Sequence, residues 1–503
     1  MEKNVSEMIL DALNKTGIKS ASALREIFDA CESKVAAPAD CLTARGRIET
    51  LFDEGTFMES GKYVRRTPSE LDSCADEAFE GVICGWGSVQ GKLVYAFSQD
   101  YSRTKGALTE AQARKIEEIY RLAMENGAPV IGIFDSAGAL LPEGVRALAG
   151  YSRMMNCVSK ASGVIPQIAI IPGVCAGSAA VVAGMFDFII ISETKGNVSF
   201  NAPFVLGNSD AGKSEFVSKS GLAALTAKND AECVALAKTL LSYLPMNNME
   251  GTVEDYSRDD ANRLVDIAHY KAFKKAADLV SAVADDAKYL ELYSAYAKEM
   301  STGFISLNGT VCGVVANNKA ENGGILTAGA ARKAARMITF CDSFDIPVIT
   351  ILDSEGPDVS LEAEASPYAA ELAKLAFAYS TAKCAMITLI AGEAYGAHFS
   401  IMGSKALGAD VVLALDSAKI GVMSARRAVA FLLNDKVSET VTRTELEAKW
   451  DDKIGNAVAA ASAGEVDDII SDEEIRQRLA GALMMLSAKS KCAPARRHTN
   501  MPL

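Results

Sequence analysis

The chain has 503 residues, of which 49% are hydrophobic and 23% are charged, so it is long and apolar enough to bury sizeable cores. The formal net charge of −13 argues against a nucleic-acid-binding protein, which needs a basic face. None of the 11 cysteines forms a C-x-x-C pair, which argues against a zinc ribbon, and with no signal-peptide pattern at Met1 we expect reduced thiols in a cytoplasmic protein.

The first hundred residues pass from a helical to a β-rich pattern. Residues 5–35 and 42–59 have helical spacing of apolar residues, and residues 60–78 are polar and predict a loop. Residues 81–100 contain two β-rich runs joined by Gln90 and Gly91, which predicts a β-hairpin.

Helices and strands then alternate. Residues 108–127 predict an amphipathic helix with Thr109 as its N-cap and Gly127 at its end. Further elements are expected in this order: a strand from 128 leading into a Gly/Pro turn, a helix over 150–161, and strands over 164–171 and 186–192. Alternating β and α elements predict an α/β fold with buried parallel strands.

Residues 161–186 carry no charge and are numerous enough to cross a bilayer. Pro166, Gln167 and Pro172 interrupt them, and buried parallel strands also form continuous apolar runs. We therefore expect a chain that does not itself span a membrane.

The middle of the chain contains two predicted helices, 213–225 and 231–244, followed by an acidic linker over 244–260. A boundary near residue 250 divides the chain into an N-terminal half, 1–250, and a C-terminal half, 251–503.

The second half repeats the first. A helix, a strand and an Asp-Ser-x-Gly turn recur with a separation of 218 residues between Asp135 and Asp353, and of 219 residues between Gly177 and Gly396. A nearly constant offset over several elements indicates a tandem duplication of one α/β domain.

Each half contains two Gly-containing turns at the ends of apolar strands. They are Asp135–Gly138 with Cys175–Ser178, and Asp353–Gly356 with Tyr395–His398. Such turns direct backbone N–H groups at the space in front of a new helix, which suits chemistry that develops negative charge on carbonyl oxygens. We interpret the stretches 172–180 and 391–400 as two oxyanion holes facing one site. The alternative is that the glycines serve only the positive φ angles of tight turns.

Other candidate groups are few. Among the three histidines, His398 lies in a Gly-containing turn and could form a nucleophile–base pair with Ser178 or Ser136, whereas His269 and His498 are expected to be solvated. No G-x-S-x-G elbow supports a serine hydrolase. Two basic pairs, Arg103/Lys105 and Arg496/Arg497, could contact cofactor phosphates or be solvated charges.

Seven segments, in this order along the chain, are distinctive: LTARGRIETLFDEGTFME, GVICGWGSVQGKLVYAFSQD, GAPVIGIFDSAGALLPEGVRALAGY, SGVIPQIAIIPGVCAGSAAV, FCDSFDIPVITILDSEGP, AYGAHFSIMGSKALGADVV and RRHTNMPL. Through them nearly the whole chain resembles the β-type carboxyltransferase subunits of biotin-dependent acyl-CoA carboxylases and of the related sodium-pumping acyl-CoA decarboxylases.

The resemblance implies two crotonase-like (ββα spiral) domains, an acyl-CoA side in the N-terminal half and a biotin side in the C-terminal half. It implies catalytic roles for the two oxyanion turns, at Gly177, Ser178, Gly396, Ala397 and His398. Cofactor-binding roles would fall to flanking positions, at Ala137, Gly138, Ala176, Tyr395, Gly356 and Ser400. The carboxyl group would move between biotin and the α-carbon of a short acyl-CoA.

The resemblance also implies a site completed across a dimer, a hexamer of three dimers, and a separate biotin carboxyl carrier protein. A biotin carboxylase or a membrane decarboxylase subunit would be a further partner. The chain departs from the family at Ser178 and Ala397, where glycine is usual, and at His398, where alanine is usual. Three hypotheses follow: a carboxylase subunit, a decarboxylase alpha subunit, and a non-catalytic scaffold suggested by the altered turns.

Overall fold

A computed structural model describes residues 21–32, 35, 41–65, 79–251, 253–254, 259–438 and 440–490. The chain divides into two compact units, one ending at Asn248 and the other beginning at Met249. In the described part of each unit the strands form one seven-stranded sheet and one two-stranded sheet.

The first unit begins with two helices and a hairpin and continues with alternating strands and helices. Its elements are α1 Ala21–Glu32, α2 Ala44–Leu51, β1 Met58–Ser60, β2 Val82–Val89, β3 Lys92–Gln99, α3 Glu110–Asn126, β4 Val130–Ile133, α4 Val145–Ala161, β5 Gln167–Ile171, β6 Val174–Ala176, α5 Ser178–Gly184, β7 Phe188–Ser192, β8 Asn197–Ser199, α6 Pro203–Leu206, α7 Ser214–Lys219, β9 Leu225–Ala227 and α8 Asp230–Ser242. The large sheet has the order β1-β2-β3-β4-β5-β7-β9, antiparallel from β1 to β3 and parallel from β3 onward.

The second unit repeats this order. Its elements are α9 Ala268–Phe273, α10 Ala276–Val283, β10 Tyr289–Leu292, β11 Met300–Leu307, β12 Thr310–Asn317, α11 Ala328–Ser343, β13 Val348–Leu352, α12 Leu361–Glu364, α13 Tyr368–Thr381, β14 Met386–Ile390, β15 Glu393–Tyr395, α14 Ala397–Ile401, β16 Val411–Leu415, β17 Lys419–Gly421, α15 Ala425–Leu432, α16 Arg443–Lys453, α17 Ala457–Ser462, β18 Asp468–Ile470 and α18 Ile475–Leu486. The large sheet has the order β10-β11-β12-β13-β14-β16-β18 with the same change from antiparallel to parallel pairing.

Short single-turn helices of 3₁₀ type connect several of these elements. They are Thr104–Gly106, Leu141–Glu143, Asp285–Ala287, Asn322–Gly324, Lys405–Leu407, Asn434–Lys436 and Asp472–Glu474.

Local sequence signals account for the elements that precede the turns. The hairpin of β2 and β3 closes through Gln90 and Gly91, both at positive φ, as predicted. Thr109 caps α3 by accepting a hydrogen bond from the Gln112 N–H at 3.0 Å, and Gly127 ends the helix in the left-handed conformation. These elements place the strand ends, where the Gly-containing turns lie.

Each unit has its own core between the sheet and its covering helices. In the first unit β4, β5 and β7 are buried along their whole length, as are β13 and β14 in the second. This is the burial expected of parallel strands covered by helices, and it explains the uncharged run over 161–186, which contains β5 and β6. Within the described residues, no helix combines the length and the apolar character needed to cross a membrane.

Three predicted elements differ in extent. The helix predicted within residues 42–59, with its end near Asp53–Gly55, ends at Leu51, and the strand β1 begins at Met58. The helix expected over 213–225 ends at Lys219, and Leu225 begins the edge strand β9. The helix expected over 150–161 begins earlier, at Val145, directly after the 3₁₀ turn Leu141–Glu143. The predictions for residues 5–20 and 66–78 lie outside the described residues.

Candidate functional site

In the first unit the two Gly-containing turns are hydrogen-bonded neighbours. They follow the adjacent parallel strands β4 and β5, whose carboxyl ends meet at one edge of the sheet. The Ser136 N–H donates to the Val174 carbonyl at 2.6 Å, and the Ala176 N–H donates to the Ser136 carbonyl at 3.1 Å. The structure therefore brings together the five residues predicted for this half, namely Ala137, Gly138, Ala176, Gly177 and Ser178.

The second unit reproduces this pair of turns. The Ser354 N–H donates to the Glu393 carbonyl at 2.8 Å, joining the turn at Gly356 to the turn at Gly396. The Gly356 N–H donates to Ser354 Oγ at 3.1 Å, just as the Gly138 N–H donates to Ser136 Oγ at 3.2 Å. The neighbouring predicted positions Tyr395 and Ala397 lie on the second turn itself, and exposed Ser400 donates to the Ala397 carbonyl at 3.0 Å.

The central glycines of the two units have nearly the same backbone conformation. Gly177 has φ 62° and ψ −130°, and Gly396 has φ 59° and ψ −135°. A side chain is strongly disfavoured there because its Cβ would crowd the backbone. The conformation turns the chain sharply from β6 into α5, and from β15 into α14.

The N–H groups of these glycines are already used inside the protein. Gly177 donates to the Ser199 carbonyl and Gly396 to the Gly421 carbonyl, both at 2.9 Å. The next N–H groups along the chain, at Ser178 and Ala397, begin short helices and so have no carbonyl one turn earlier to receive them. Neither has a backbone acceptor among the described residues, so each is a candidate donor to a bound oxygen.

Free space lies beside one turn in each unit, the turn at Gly177 in the first and the turn at Gly356 in the second. A Cβ added to Gly177 or to Gly356 would meet no atom within 4 Å, whereas a Cβ added to Gly396 would lie 3.1 Å from the Val422 carbonyl oxygen. The two turns therefore present backbone rather than side chains to an open volume, as a site for a carbonyl oxygen requires.

A buried ion triad supports the turn of the first unit. Arg47 donates to Asp135 at 2.8 Å and to Asp230 at 3.0 Å, and the Val174 N–H donates to Asp135 at 3.2 Å. Burial raises the pKa of the Asp135 carboxyl, and Arg47 opposes that rise while shared between two carboxylates. Gly173 leaves room for the carboxylate, since a Cβ there would lie 2.3 Å from Asp135 Oδ1.

The equivalent Asp353 has more partners. Tyr270 donates to it at 2.7 Å, the Glu393 N–H at 3.0 Å, and Lys319 and Lys274 lie at 3.1 and 3.3 Å. Burial favours the neutral acid, but these donors together hold the pKa of Asp353 below its usual value. The same backbone position thus rests on a different set of side chains in each unit.

His398 is fully buried behind the second turn. Its Nε2 lies 3.0 Å from Asn317 Oδ1, which assigns the proton to Nε2, and its Nδ1 has no hydrogen-bond partner among the described residues. Burial lowers the pKa of His398 to about 3, so the ring is neutral at physiological pH. Its contact is with an amide, and the structure describes no serine hydroxyl bonded to it.

Two other candidates from the sequence, Arg103 and His269, each have an acidic partner. Arg103 pairs with Glu32 at 2.5 Å and with Asp100 at 3.4 Å, so it is not a free surface charge. Exposed His269 lies 2.6 Å from Asp278. His498 and the Arg496/Arg497 pair lie outside the described residues.

Sequence reasoning missed the carboxylate-binding residues Arg47, Lys319 and Tyr270, and it missed Asn317. Arg47 and Asp135 are 88 residues apart, and Tyr270 and Asp353 are 83 apart, so no local pattern joins them. The repeat offered one usable signal, because it marked Asp135 and Asp353 as equivalent acids at the ends of buried strands.

The carboxyl transferase domain family matches residues 37–501 of the chain. This chain belongs to that family. Predictions of a β-type carboxyltransferase subunit and of a tandem crotonase-like α/β fold are confirmed.

Two relatives and one solved structure illustrate the similarity. The carboxyltransferase is 34% identical to the propionyl-CoA carboxylase beta chain of Cereibacter sphaeroides, an alignment covering 92% of this chain and 94% of the relative. It is 36% identical to the methylmalonyl-CoA decarboxylase subunit alpha of Propionigenium modestum, covering 92% and 93% of the two chains. The crystal structure of transcarboxylase 12S with hydrolysed methylmalonyl-coenzyme A bound superposes with a TM-score of 0.90 at 31% identity, covering 97% of this chain and all of that one.

Proposed function

We propose that this carboxyltransferase moves a carboxyl group between biotin, carried by a separate protein, and the α-carbon of a short acyl-CoA of the propionyl-CoA or methylmalonyl-CoA type. The observation that carries the proposal is the matched pair of turns. Gly177 and Gly396 have the same conformation in two units of one fold, and each precedes an N–H group with no backbone acceptor among the described residues. Two equivalent donors suit a reaction in which negative charge develops on two different carbonyl oxygens.

The N-terminal unit is assigned to the acyl-CoA. The Ser178 N–H would stabilise negative charge that develops on the thioester oxygen, because an N–H donor directed at developing negative charge lowers the barrier. Ala137, Gly138 and Ala176 line the approach to that oxygen, and the open volume in front of Gly177 leaves it room.

The C-terminal unit is assigned to biotin, and its residues fit the group. The turn at Gly356 faces open space, and Ala397 offers an N–H in the position equivalent to Ser178. When bound, biotin supplies a carboxyl group on its ureido nitrogen. The Ala397 N–H would hold the ureido oxygen, and Tyr395 and Ser400 would lie on either side of that N–H. Neutral His398 holds the start of α14 against Asn317.

The reverse direction is a second candidate. The decarboxylase subunit alpha of Propionigenium modestum is as similar to this chain as the carboxylase beta chain. The same two donors serve both directions, since the charge develops on the same oxygens. The partner is then a membrane decarboxylase subunit rather than a biotin carboxylase.

A hexamer built from dimers is proposed as the assembly. It is supported by the 12S structure, whose description includes hexamer assembly and whose full length this chain covers. Analytical ultracentrifugation tests it directly, since a monomer at micromolar concentration would contradict a site completed across a dimer.

The test of function is a panel of CoA esters with free biotin. Purified protein is incubated with malonyl-CoA, methylmalonyl-CoA and glutaconyl-CoA, and carboxybiotin formation and loss of ester are followed together. Ester consumed in proportion to carboxybiotin formed supports the proposal and identifies the acyl group. No turnover with intact CoA-ester binding by calorimetry would favour the scaffold hypothesis instead.

A further inference from the structure

The 3₁₀ turns that precede α3 and α11 each have three consecutive residues at positive φ. They are Thr104, Lys105 and Gly106 at 47°, 54° and 64° in the first unit, and Asn322, Gly323 and Gly324 at 45°, 64° and 64° in the second. The middle position is lysine in one unit and glycine in the other. A side chain in this left-handed region costs about 1–2 kcal/mol, a cost that Lys105 incurs and Gly323 avoids.

Lys105 lies directly against the proposed acyl-CoA turn. Its carbonyl accepts the Ala137 N–H at 3.0 Å. Its side chain is exposed, and no carboxylate of the described residues is within ion-pair distance of its ammonium group. The nearby cations Arg47 and Arg103, in contrast, are both paired with acids.

The second unit has a carboxylate rather than a lysine at this place. Gly323 stands at the position of Lys105, and Glu355, on the neighbouring Asp-Ser-x-Gly turn, stands at the position of Ala137. Glu355 is exposed and donates its N–H to the Gly323 carbonyl at 3.2 Å, and a Cβ added to Gly323 would be 3.0 Å from Glu355 Cδ. The first unit therefore presents an ammonium group with no ion pair among the described residues, and the second presents a carboxylate from the neighbouring turn.

We infer that Lys105 binds an anionic group of the thioester substrate and is a specificity-determining residue of the N-terminal turn. An ammonium group is a compact partner for either a carboxylate or a phosphate. A malonyl-type CoA ester carries both, the carboxylate on its acyl group and the phosphates on its CoA part. The inference rests on the proposed function, which assigns the CoA ester to this unit.

The test compares Lys105→Asn with Lys105→Arg. Asparagine tolerates the left-handed conformation, so the first variant removes the charge without adding backbone strain. Arginine keeps the charge. Lys228→Asn is the matched control, because Lys228 is an exposed lysine of the same unit with no ion pair among the described residues. Dissociation constants of methylmalonyl-CoA and propionyl-CoA are measured by calorimetry, and KM and kcat are measured in turnover.

We expect Lys105→Asn to weaken ester binding about tenfold, which corresponds to ~1.4 kcal/mol, with kcat little changed. Lys105→Arg should recover most of the affinity, and Lys228→Asn should bind as the unaltered protein does. The affinity of the unaltered protein should also fall with added salt more than that of Lys105→Asn. Unchanged affinity of Lys105→Asn for both esters would overturn the inference.

One further ester, methylmalonyl-pantetheine, distinguishes the anionic groups. If Lys105 binds the acyl carboxylate, the loss occurs with methylmalonyl-CoA and with methylmalonyl-pantetheine, which lacks the phosphates, but not with propionyl-CoA. If it binds a phosphate, propionyl-CoA and methylmalonyl-CoA lose affinity equally and the pantetheine ester loses none. Because calorimetry needs no turnover, a chain that binds esters through Lys105 without converting them would contradict the proposed function and leave this inference standing.

Discussion

The two units share a backbone but not the side chains beneath it. The hairpin turns Gln90-Gly91 and Asn308-Gly309, the helix caps Thr109 and Thr327, and the turns at Gly177 and Gly396 recur at nearly constant spacing and with matching φ angles. Beneath them, Asp135 shares one arginine with a second acid. Asp353 instead binds a tyrosine and two lysines, of which Lys319 also pairs with Glu393 at 2.6 Å. The two half-sites therefore have the same backbone geometry, whereas the charged side chains that support it differ between the units.

The aspartates that bind the two hairpin turns, Asp53 and Asp285, show the same divergence. Asp53 accepts hydrogen bonds from Ser88 Oγ and from the Gln90 and Gly91 N–H groups, at 2.6, 3.0 and 3.1 Å. Asp285 accepts the corresponding three bonds from Ser306, Asn308 and Gly309, at 3.1, 3.0 and 2.8 Å. Asp285 alone also binds an arginine, fully buried Arg476, at 2.5 Å.

The largest expected effect follows from that arginine. Asp285→Asn leaves Arg476 buried with only the more distant Asp259 as counter-ion, at 3.5 Å, so we expect the free energy of unfolding to fall by about 3–5 kcal/mol. Asp53→Asn should lower the free energy of unfolding far less, because Asp53 forms no ion pair among the described residues. Urea denaturation of both variants measures the difference. Equal losses of stability in the two variants would mean that the Arg476–Asp285 ion pair adds nothing to the stability.

The next effect concerns the two turns. Gly177→Val and Gly396→Val each force a β-branched residue into a conformation suited to glycine and displace the following N–H, so we expect each to lower kcat about 10²–10³-fold. If the units divide the substrates as proposed, Gly177→Val should also raise KM for the CoA ester, and Gly396→Val should raise KM for free biotin.

Gly55→Val is the control for backbone strain. Gly55 has φ 72°, and a Cβ added there would meet no atom within 4 Å, but it lies in the loop between α2 and β1 and belongs to neither of the Gly-containing turns. Normal turnover in Gly177→Val would show that the first oxyanion hole is misplaced. Failure of that variant to assemble, seen by size-exclusion chromatography, would assign the glycine a structural role.

A third effect separates the units by pH. His398 has no counterpart in the first unit, where the equivalent residue is Ala179. Burial lowers the pKa of folded His398 to about 3, whereas an unfolded histidine has a pKa of about 6.5. The unfolded chain therefore binds one more proton between these values. The stability linked to neutral His398 is fully present above pH ~6.5 and is lost as the pH falls toward 3.

We expect this histidine to contribute a slope of at most ~1.4 kcal/mol per pH unit to the free energy of unfolding between pH 6 and 4. His398→Gln should remove that contribution, and His269→Gln, at an exposed position, should leave it. The measurement is urea denaturation across that pH range. A slope unchanged by His398→Gln would mean that the folded ring is protonated and its pKa is not lowered.

The elements predicted best are those with local signals. The hairpin at Gln90-Gly91, the Thr109 cap and the Gly127 stop each lie within a few residues of what they determine. The duplication was also visible, because offsets are read directly from residue numbers. The strand β9 was missed because three residues at a sheet edge carry no periodicity.

The site was predictable as positions but not as contacts. That Gly177 and Gly396 lie at turns follows from their sequence neighbours. The sequence does not show that their N–H groups donate to the Ser199 and Gly421 carbonyls. These bonds depend on the pairing of β6 with β8 and of β15 with β17, which exists only in the folded sheets. For the same reason His398 was predicted in a turn, whereas its partner Asn317, 81 residues away, was not.

The smallest expected effect concerns the helix N-caps, a feature in which the two units should behave alike. Thr109 and Thr327 cap equivalent helices, each accepting an N–H three residues on at 3.0 Å, and each hydroxyl donates to a glutamate, Glu80 or Glu299. Thr109→Ala and Thr327→Ala should each lower the free energy of unfolding by about 0.5–2 kcal/mol. Thermal and urea denaturation of the two variants, with Thr50→Ala as an exposed control on α2, measures this. The two caps, their hydroxyl hydrogen bonds and their helices are matched. A difference above about 1 kcal/mol between the two losses in free energy of unfolding would therefore show that the units also differ in the helices that lead into the turns.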